Sequence, residues 1–193
     1  MQDFEYLQQP ASLQHILEKT FKLKFPMASE PLVGALLRSL AASKPNGTFL
    51  ELGTGTGLST AWILDGMSPG STLVSVDTDA DVQQVASDCL GDDTRLKLIL
   101  EDGNSFLEQQ SPATYDLVFA DAMPGKYEGL EKALVTVKPG GFYVIDDMQP
   151  QPNWPEGHAA KVPLLLQQLA ENEDFVIAPL VWASGVVVAV RRN

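Results

Sequence analysis

The chain has 193 residues, 25 of them Asp or Glu against 13 Lys or Arg, for a formal net charge of −12 at pH 7. A domain of this length buries roughly 70% of the surface its unfolded chain exposes, enough for a core without disulfide or zinc, and an acidic balance with no block of Lys or Arg argues against a nucleic-acid or anionic-membrane partner. The single Cys89 excludes an intramolecular disulfide, no signal-peptide pattern opens the chain, and no apolar run approaches the roughly 20 residues that cross a bilayer, so a cytoplasmic setting is expected.

Two segments before residue 48 carry helical spacing, 12–21 and 31–42; in the second, Leu32, Ala35, Leu36, Ser39 and Leu40 form one stripe. They are expected to flank or cover the rest. From residue 48, short apolar runs rich in β-branched residues alternate with longer helical segments, the pattern of a parallel sheet with crossover helices. The predicted strands are 48–52, 71–76, 96–100, 115–120 and 142–145, nearly continuous in apolar character as strands buried on both faces are. The predicted crossover helices are 59–67, 80–89, 105–110 and 127–137, with turns at Ser68-Pro69-Gly70, Gly91-Asp92-Asp93 and Pro139-Gly140-Gly141. Three prolines make 149–157 an irregular loop before a helix at 159–170, in whose first turn Pro163 is tolerated. Segments 175–182 and 186–191, separated by only Ala183-Ser184-Gly185, close the chain as an antiparallel hairpin. The fold class is therefore α/β: a doubly wound, Rossmann-like sheet of seven strands, five parallel plus the hairpin, in one domain with 1–47 as a helical flank and 48–193 as the core.

The strongest motif is Glu51-Leu52-Gly53-Thr54-Gly55-Thr56-Gly57-Leu58-Ser59, placed where the first strand turns into the first crossover helix. Ligands of open α/β sheets bind at the carboxyl ends of the strands where strand order reverses, and glycine permits the tight turn and close backbone approach. Asp77 ends the second strand, where a carboxylate reaches ribose hydroxyls, and Glu101-Asp102-Gly103 follows the third. A dinucleotide fingerprint needs Gly-x-Gly-x-x-Gly, but Leu58 stands at the third glycine's place. A glycine-rich turn with no cofactor role is the bland alternative.

Asp121 ends strand four, and Asp146-Asp147 end strand five. Carboxylates gathered at adjacent strand ends repel one another unless a cation or donor compensates, and hard cations such as Mg²⁺ or Ca²⁺ take oxygen ligands of this kind. The alternative is that Asp146 or Asp147 caps a turn while Asp121 serves the cofactor alone.

Residues 27–191 resemble the cation-dependent O-methyltransferases of the caffeoyl-CoA and catechol type, especially their small bacterial members. The resemblance lies in Met27-Ala28-Ser29, the Gly-x-Gly-x-Gly loop after Glu51, Tyr115 to Ala122, Lys138-Pro139-Gly140-Gly141 and Asp146-Asp147. It implies S-adenosylmethionine as cofactor, held by Met27, Ser29, Glu51, Gly53, Thr54, Gly55, Gly57, Ser59, Asp77, Asp102, Gly103 and Asp121, and a small hydroxyl acceptor, aromatic in kind. It further implies Asp121, Asp146 and Asp147 as ligands of a Mg²⁺ or Ca²⁺ ion, Asp121 at the catalytic centre, and a homodimer. Two positions depart from the family. Asp147 stands where the family has Asn, and Pro124 stands where it has the lysine expected to act as base. Lys126 reaches the centre only if the loop turns differently; otherwise it is a solvated surface lysine. His158 is a weaker base candidate, otherwise a surface residue near a helix start, and Trp154 either stacks on a planar acceptor or packs against Trp182 or a subunit neighbour. A cofactor-binding protein without methyltransferase activity is the competing function.

Overall fold

The computed structural model describes residues 6–152 and 154–193; Asn153, in the predicted irregular loop, lies outside them. Seven strands form one sheet in the order β3-β2-β1-β4-β5-β7-β6. β1 (Thr48–Leu52), β2 (Thr72–Asp77), β3 (Leu96–Leu100), β4 (Tyr115–Ala120) and β5 (Val137–Ile145) run parallel, while β7 (Val186–Arg191) pairs antiparallel with both β5 and β6 (Phe175–Leu180). The chain steps outward from β1 to β3 and then returns to place β4 on the other side of β1. That reversal opens a crevice between the carboxyl ends of β1 and β4.

Alternation along the central strands sorts their side chains between two cores. Leu50, Leu52, Val118, Ala120, Tyr143 and Ile145 pack under α5 (Gly103–Glu108), α7 (Leu130–Thr136) and α8 (Lys161–Glu171). Phe49, Leu117, Phe119 and Val144 pack under α1 (Leu13–Leu23), α2 (Pro31–Ala42), α3 (Leu58–Gly66) and α4 (Ala80–Leu90). The sheet is thus covered on both faces, which is why its strands read as continuous apolar runs. Trp62 of α3, 2% exposed, fills the space over Gly34 of α2, where a Cβ would lie 2.2 Å from the indole. The N-terminal pair of helices is therefore part of the second core as well as a flank.

Several boundaries differ from the sequence reading, and three of them have a clear local cause. β5 begins at Val137 instead of 142, because Val137 pairs with Tyr115 and the register shifts before Leu117; Gly140, at φ 71°, absorbs the irregularity within the strand. The helix expected over 127–137 is only α7, since Gly129 at φ 64° caps it and the preceding residues form a turn, α6 (Met123–Lys126). β6 stops at Leu180, so residues 181–185, five instead of three, join the hairpin. Pro179 lies in this outermost strand, the place where a missing backbone donor costs no ladder bond.

Candidate active site

The glycine loop is shaped by what lies on either side of it. Gly53 N–H donates to Val76 O at 2.9 Å and Asp121 N–H to Leu52 O at 2.9 Å, tying the ends of β1, β2 and β4 together. Gly53 has φ 100°, and a Cβ there would sit 2.7 Å from the Asp121 carbonyl oxygen. Only glycine permits this approach. Gly57, the N-cap of α3 at φ 92°, serves packing instead: a Cβ there would lie 2.8 Å from Ala86 of α4.

A cavity of about 810 Å³ opens at this crevice. Of the predicted cofactor residues, Met27, Ser29, Gly53, Thr54, Gly55, Asp77 and Asp121 line it, together with Phe25, whose ring sits over Gly55. Sequence reasoning missed Phe25, which lies beyond the helical stripe that drew attention to this region. Asp77 fixes the loop, accepting from Gly55 N at 2.8 Å with one carboxylate oxygen and from Asp79 N at 2.9 Å with the other. Beside Gly53 and Asp77 a second recess of about 70 Å³ is walled by Glu101, Gly103, Ala122 and Pro124. Asp102 is the N-cap of α5, accepting from Ser105 N at 2.9 Å, and is exposed outside both cavities.

Glu51 and Ser59 do not line the cavity; both lie beneath the loop, Glu51 fully buried and Ser59 2% exposed. Glu51 Oε2 accepts from Thr60 and Ser75 hydroxyls, each at 2.5 Å, while Oε1 makes no well-formed hydrogen bond. Ser75 meets Thr54 at 2.7 Å, and Gln83 donates to Thr54 at 3.1 Å, so the carboxyl anchors a polar network that supports the loop from below. Burial pushes the Glu51 carboxyl up to about 7, against the pull of Ser59, Ser75 and Thr60. Its folded-state value lies above its unfolded one, so the folded chain holds the proton more tightly and stability falls as pH rises from about 4.5 to about 7. Thermal melts are therefore expected to show wild type losing roughly 3 kcal/mol relative to Glu51→Gln between about pH 4 and pH 8. A pH-independent difference between the two proteins would refute this account of the network.

The acidic end is built differently from expectation. Asp146 is 3% exposed, and its Oδ1 accepts from the Asp147 amide at 2.6 Å and from the Ser184 hydroxyl. Asp147 sits at φ 59°, which turns its carboxylate to accept from Trp154 Nε1 at 2.6 Å. Asp121 accepts from Ser29 at 3.3 Å. Burial and, second, the charge of Asp146 hold the Asp121 carboxyl well above the usual carboxylate range, and burial lifts Asp146 to about 6. Among the described residues no group of three His, Cys, Asp or Glu is placed to hold a metal ion. Asp146 Oδ1 and Asp147 Oδ2 face protein donors, one oxygen of each carboxylate.

Lys126 does reach the centre. Pro124 (φ −60°, ψ 136°) and Gly125 (φ 81°, ψ −27°) form a type II turn, held by Gly125 N–H to Glu128 O at 2.6 Å and by the Tyr143 hydroxyl donating to Gly125 O. The turn sends Lys126 inward, 4% exposed, with Nζ donating to Asp147 O at 3.4 Å. Burial pulls its ammonium down from the ordinary lysine value, opposed by the charges of Asp121, Asp147 and Asp146. Pro-Gly is itself the type II signature, and it was the available signal. The cavity mouth is aromatic: Trp154 lies on His158 with centroids 4.4 Å apart, and Tyr127 meets the same ring edge-on at 5.1 Å, its hydroxyl 3.2 Å from Nε2. Trp154 thus packs on His158 and not on Trp182. Ser184 is the polar partner the sequence reading passed over as hairpin turn.

A protein-family profile described as Methyltransferase domain matches residues 50–148, just over half of the chain. A candidate O-methyltransferase of Mycobacterium ulcerans (strain Agy99) is 29% identical over 174 residues, covering 85% of this chain and 78% of the relative. The structure also matches the O-methyltransferase TomG of Streptomyces achromogenes, solved in complex with S-adenosylmethionine, at TM-score 0.81 and 21% identity over 98% of this chain and 93% of that one. An O-methyltransferase of Bacillus cereus, solved with S-adenosylhomocysteine, matches at TM-score 0.83 and 19% identity over 97% and 94%.

Proposed function

The chain belongs to the methyltransferase domain family, and from that membership we propose that it transfers the methyl group of S-adenosylmethionine to a hydroxyl oxygen of a small, planar, phenol- or catechol-like acceptor. The observation that carries the reading is one cavity in which the glycine loop and Asp77 stand at one end and Asp121, Lys126 and the aromatic mouth at the other. At about 810 Å³ it lies in the upper part of the roughly 300–1,000 Å³ range of ligand sites, with room for two reactants. The names of the curated relative and of the two solved enzymes support the same reading.

The residues fit the cofactor. The close approach of Gly53 to Asp121 leaves a backbone cradle that a Cβ would fill, Asp77 retains acceptor capacity for ribose hydroxyls on both oxygens, and the recess walled by Gly103 and Ala122 suits the flat adenine ring. Bound S-adenosylmethionine supplies an electrophilic methyl on a sulfonium. Lys126 takes the acceptor's hydroxyl proton on Nζ while the oxygen's electron pair forms the new bond to carbon, the sulfur keeping the pair of the bond that breaks. Asp121 and Asp146 favour the ammonium that results, which later loses its proton to water. Trp154 and Tyr127 orient the acceptor ring against solvent. An acidic chain with no basic block suits a neutral or phenolic small molecule and not a nucleic acid. No helix among the described residues is long and apolar enough to cross a membrane.

Calorimetry with S-adenosylhomocysteine and turnover of labelled S-adenosylmethionine over a panel of catechols and phenols test this. Binding is expected in wild type and at least roughly ten-fold weaker in Asp77→Ala, the loss of a hydrogen bond to a charged group. Absence of binding sinks the proposal; binding without turnover of any acceptor leaves only a cofactor-binding module.

A further inference from the structure

We propose that Asp147 is a positioning residue for the acceptor: by latching the indole of Trp154 it holds that ring as a preset wall of the acceptor end. The inference rests on the methyltransferase reading above and goes beyond it. A tryptophan that orients an acceptor ring must itself be held, because a side chain fixed before binding spares the acceptor the cost of ordering it.

The latch is built from the backbone upward. Asp147 follows β5 at φ 59°, in the left-handed region where, glycine aside, Asp and Asn are the best tolerated side chains. Its amide is fixed by Asp146 Oδ1 at 2.6 Å, and its Oδ2 accepts from Trp154 Nε1, seven residues along the chain, also at 2.6 Å. Pro150, Pro152 and Pro155 offer no backbone donor around the tryptophan, which shifts more of the task of fixing this stretch to side chains. The backbone N–H of Trp154 reaches only its own stretch, donating to Gln151 O at 3.2 Å, whereas the indole N–H ties the stretch to the end of β5. His158, 8% exposed where the chain enters α8, meets the indole with ring centroids 4.4 Å apart and has its own Nε2 3.2 Å from the Tyr127 hydroxyl. Asp147, Trp154, His158 and Tyr127 all line the cavity. The indole is thus gripped at its nitrogen and on its ring by groups seated on two different elements. One carboxylate oxygen suffices for the grip, and an asparagine side chain offers the same acceptor.

The test uses the full chain, saturated with S-adenosylmethionine for rates and with S-adenosylhomocysteine for nuclear magnetic resonance. The three tryptophans give three indole N–H resonances, and Trp154→Phe identifies the one at issue. Its proton is expected to exchange slowly with solvent in wild type and Asp147→Asn, and at least roughly ten-fold faster in Asp147→Ala. With the catechol or phenol turned over fastest, Asp147→Ala and Trp154→Phe are each expected to raise the acceptor KM about five- to ten-fold. The double variant is expected to be no worse than either single one, and Asp147→Asn to keep its acceptor KM within about two-fold of wild type. Fully additive effects mean that Asp147 acts apart from Trp154 and overturn the proposal. So do an unchanged indole resonance in Asp147→Ala, a wild-type KM in that variant, or an asparagine variant as impaired as the alanine one. If Asp147→Ala does not fold, Trp154→Phe decides alone, a wild-type KM there overturning the proposal. Absence of turnover of every catechol and phenol by wild type is a separate result: it removes the methyltransferase reading, and the indole resonance still decides whether the latch exists.

Discussion

Lys126→Met is expected to lower kcat for methyl transfer by about 10²- to 10⁴-fold, the usual contribution of a positioned proton acceptor, while S-adenosylhomocysteine affinity stays within about three-fold of wild type. The two readouts separate because Lys126 lies at the acceptor end of the cavity and the glycine loop and Asp77 at the other. Methionine matches the stem of lysine and is at home in a site that leaves the side chain 4% exposed. The loss therefore reports the missing amine and not a collapsed wall. Lys126→Arg sharpens the test, since a guanidinium keeps the charge but accepts no proton; it is expected to remain nearly as slow as Lys126→Met. An arginine variant with wild-type kcat contradicts proton transfer to this residue, and a methionine variant with wild-type kcat removes it from the chemistry altogether.

Gly53→Ala is expected to weaken S-adenosylhomocysteine binding by more than roughly ten-fold and to cost about 1–3 kcal/mol of stability. Two penalties coincide at this position: the backbone lies at φ 100°, and the new methyl meets the Asp121 carbonyl at 2.7 Å. Relief requires the loop to move away from β4, which opens the cofactor wall. Gly157 provides the control, because its φ is 80° but a Cβ there meets nothing within 4 Å. Gly157→Ala pays backbone strain alone and is expected to leave cofactor affinity unchanged. Equal affinity in the two variants, measured by calorimetry, contradicts the view that loop-to-β4 contact forms the site.

The sheet was legible because each central strand is buried on both faces and so writes an uninterrupted apolar run, and the cofactor loop because glycine spacing at a strand end has few uses. The orientation of Glu51 was legible too, though unread. Period-two alternation puts it on the face of Phe49, beneath α3, and opposite Ser75 in register, which removes it from the cavity. The reach of Lys126 was hidden by counting positions from Asp121, whereas the deciding fact is a local conformation that Pro124–Gly125 dictates. The pairing of Trp154 with Asp147 and His158 had no signal in periodicity, because the path of a proline-rich segment is set by contacts distant in sequence. The same holds for Ser184, which is 38 residues from Asp146.

That last contact bears on the order in which the site becomes complete during synthesis. β1 to β4 and the glycine loop are all made from the first two-thirds of the chain, whereas β7, the direct neighbour of β5, comes last. Met148 and Gln149 donate to the carbonyls of Gly185 and Ser184 at 3.0 and 2.9 Å, so the segment leading from Asp146 towards the aromatic mouth is also pinned by the hairpin turn. Without the residues from 184 on, β5 has no strand on its outer side and Asp146 lacks its hydroxyl donor. The outer neighbour of β5 and the hydroxyl donor of Asp146 are thus among the last parts of the chain to be synthesised.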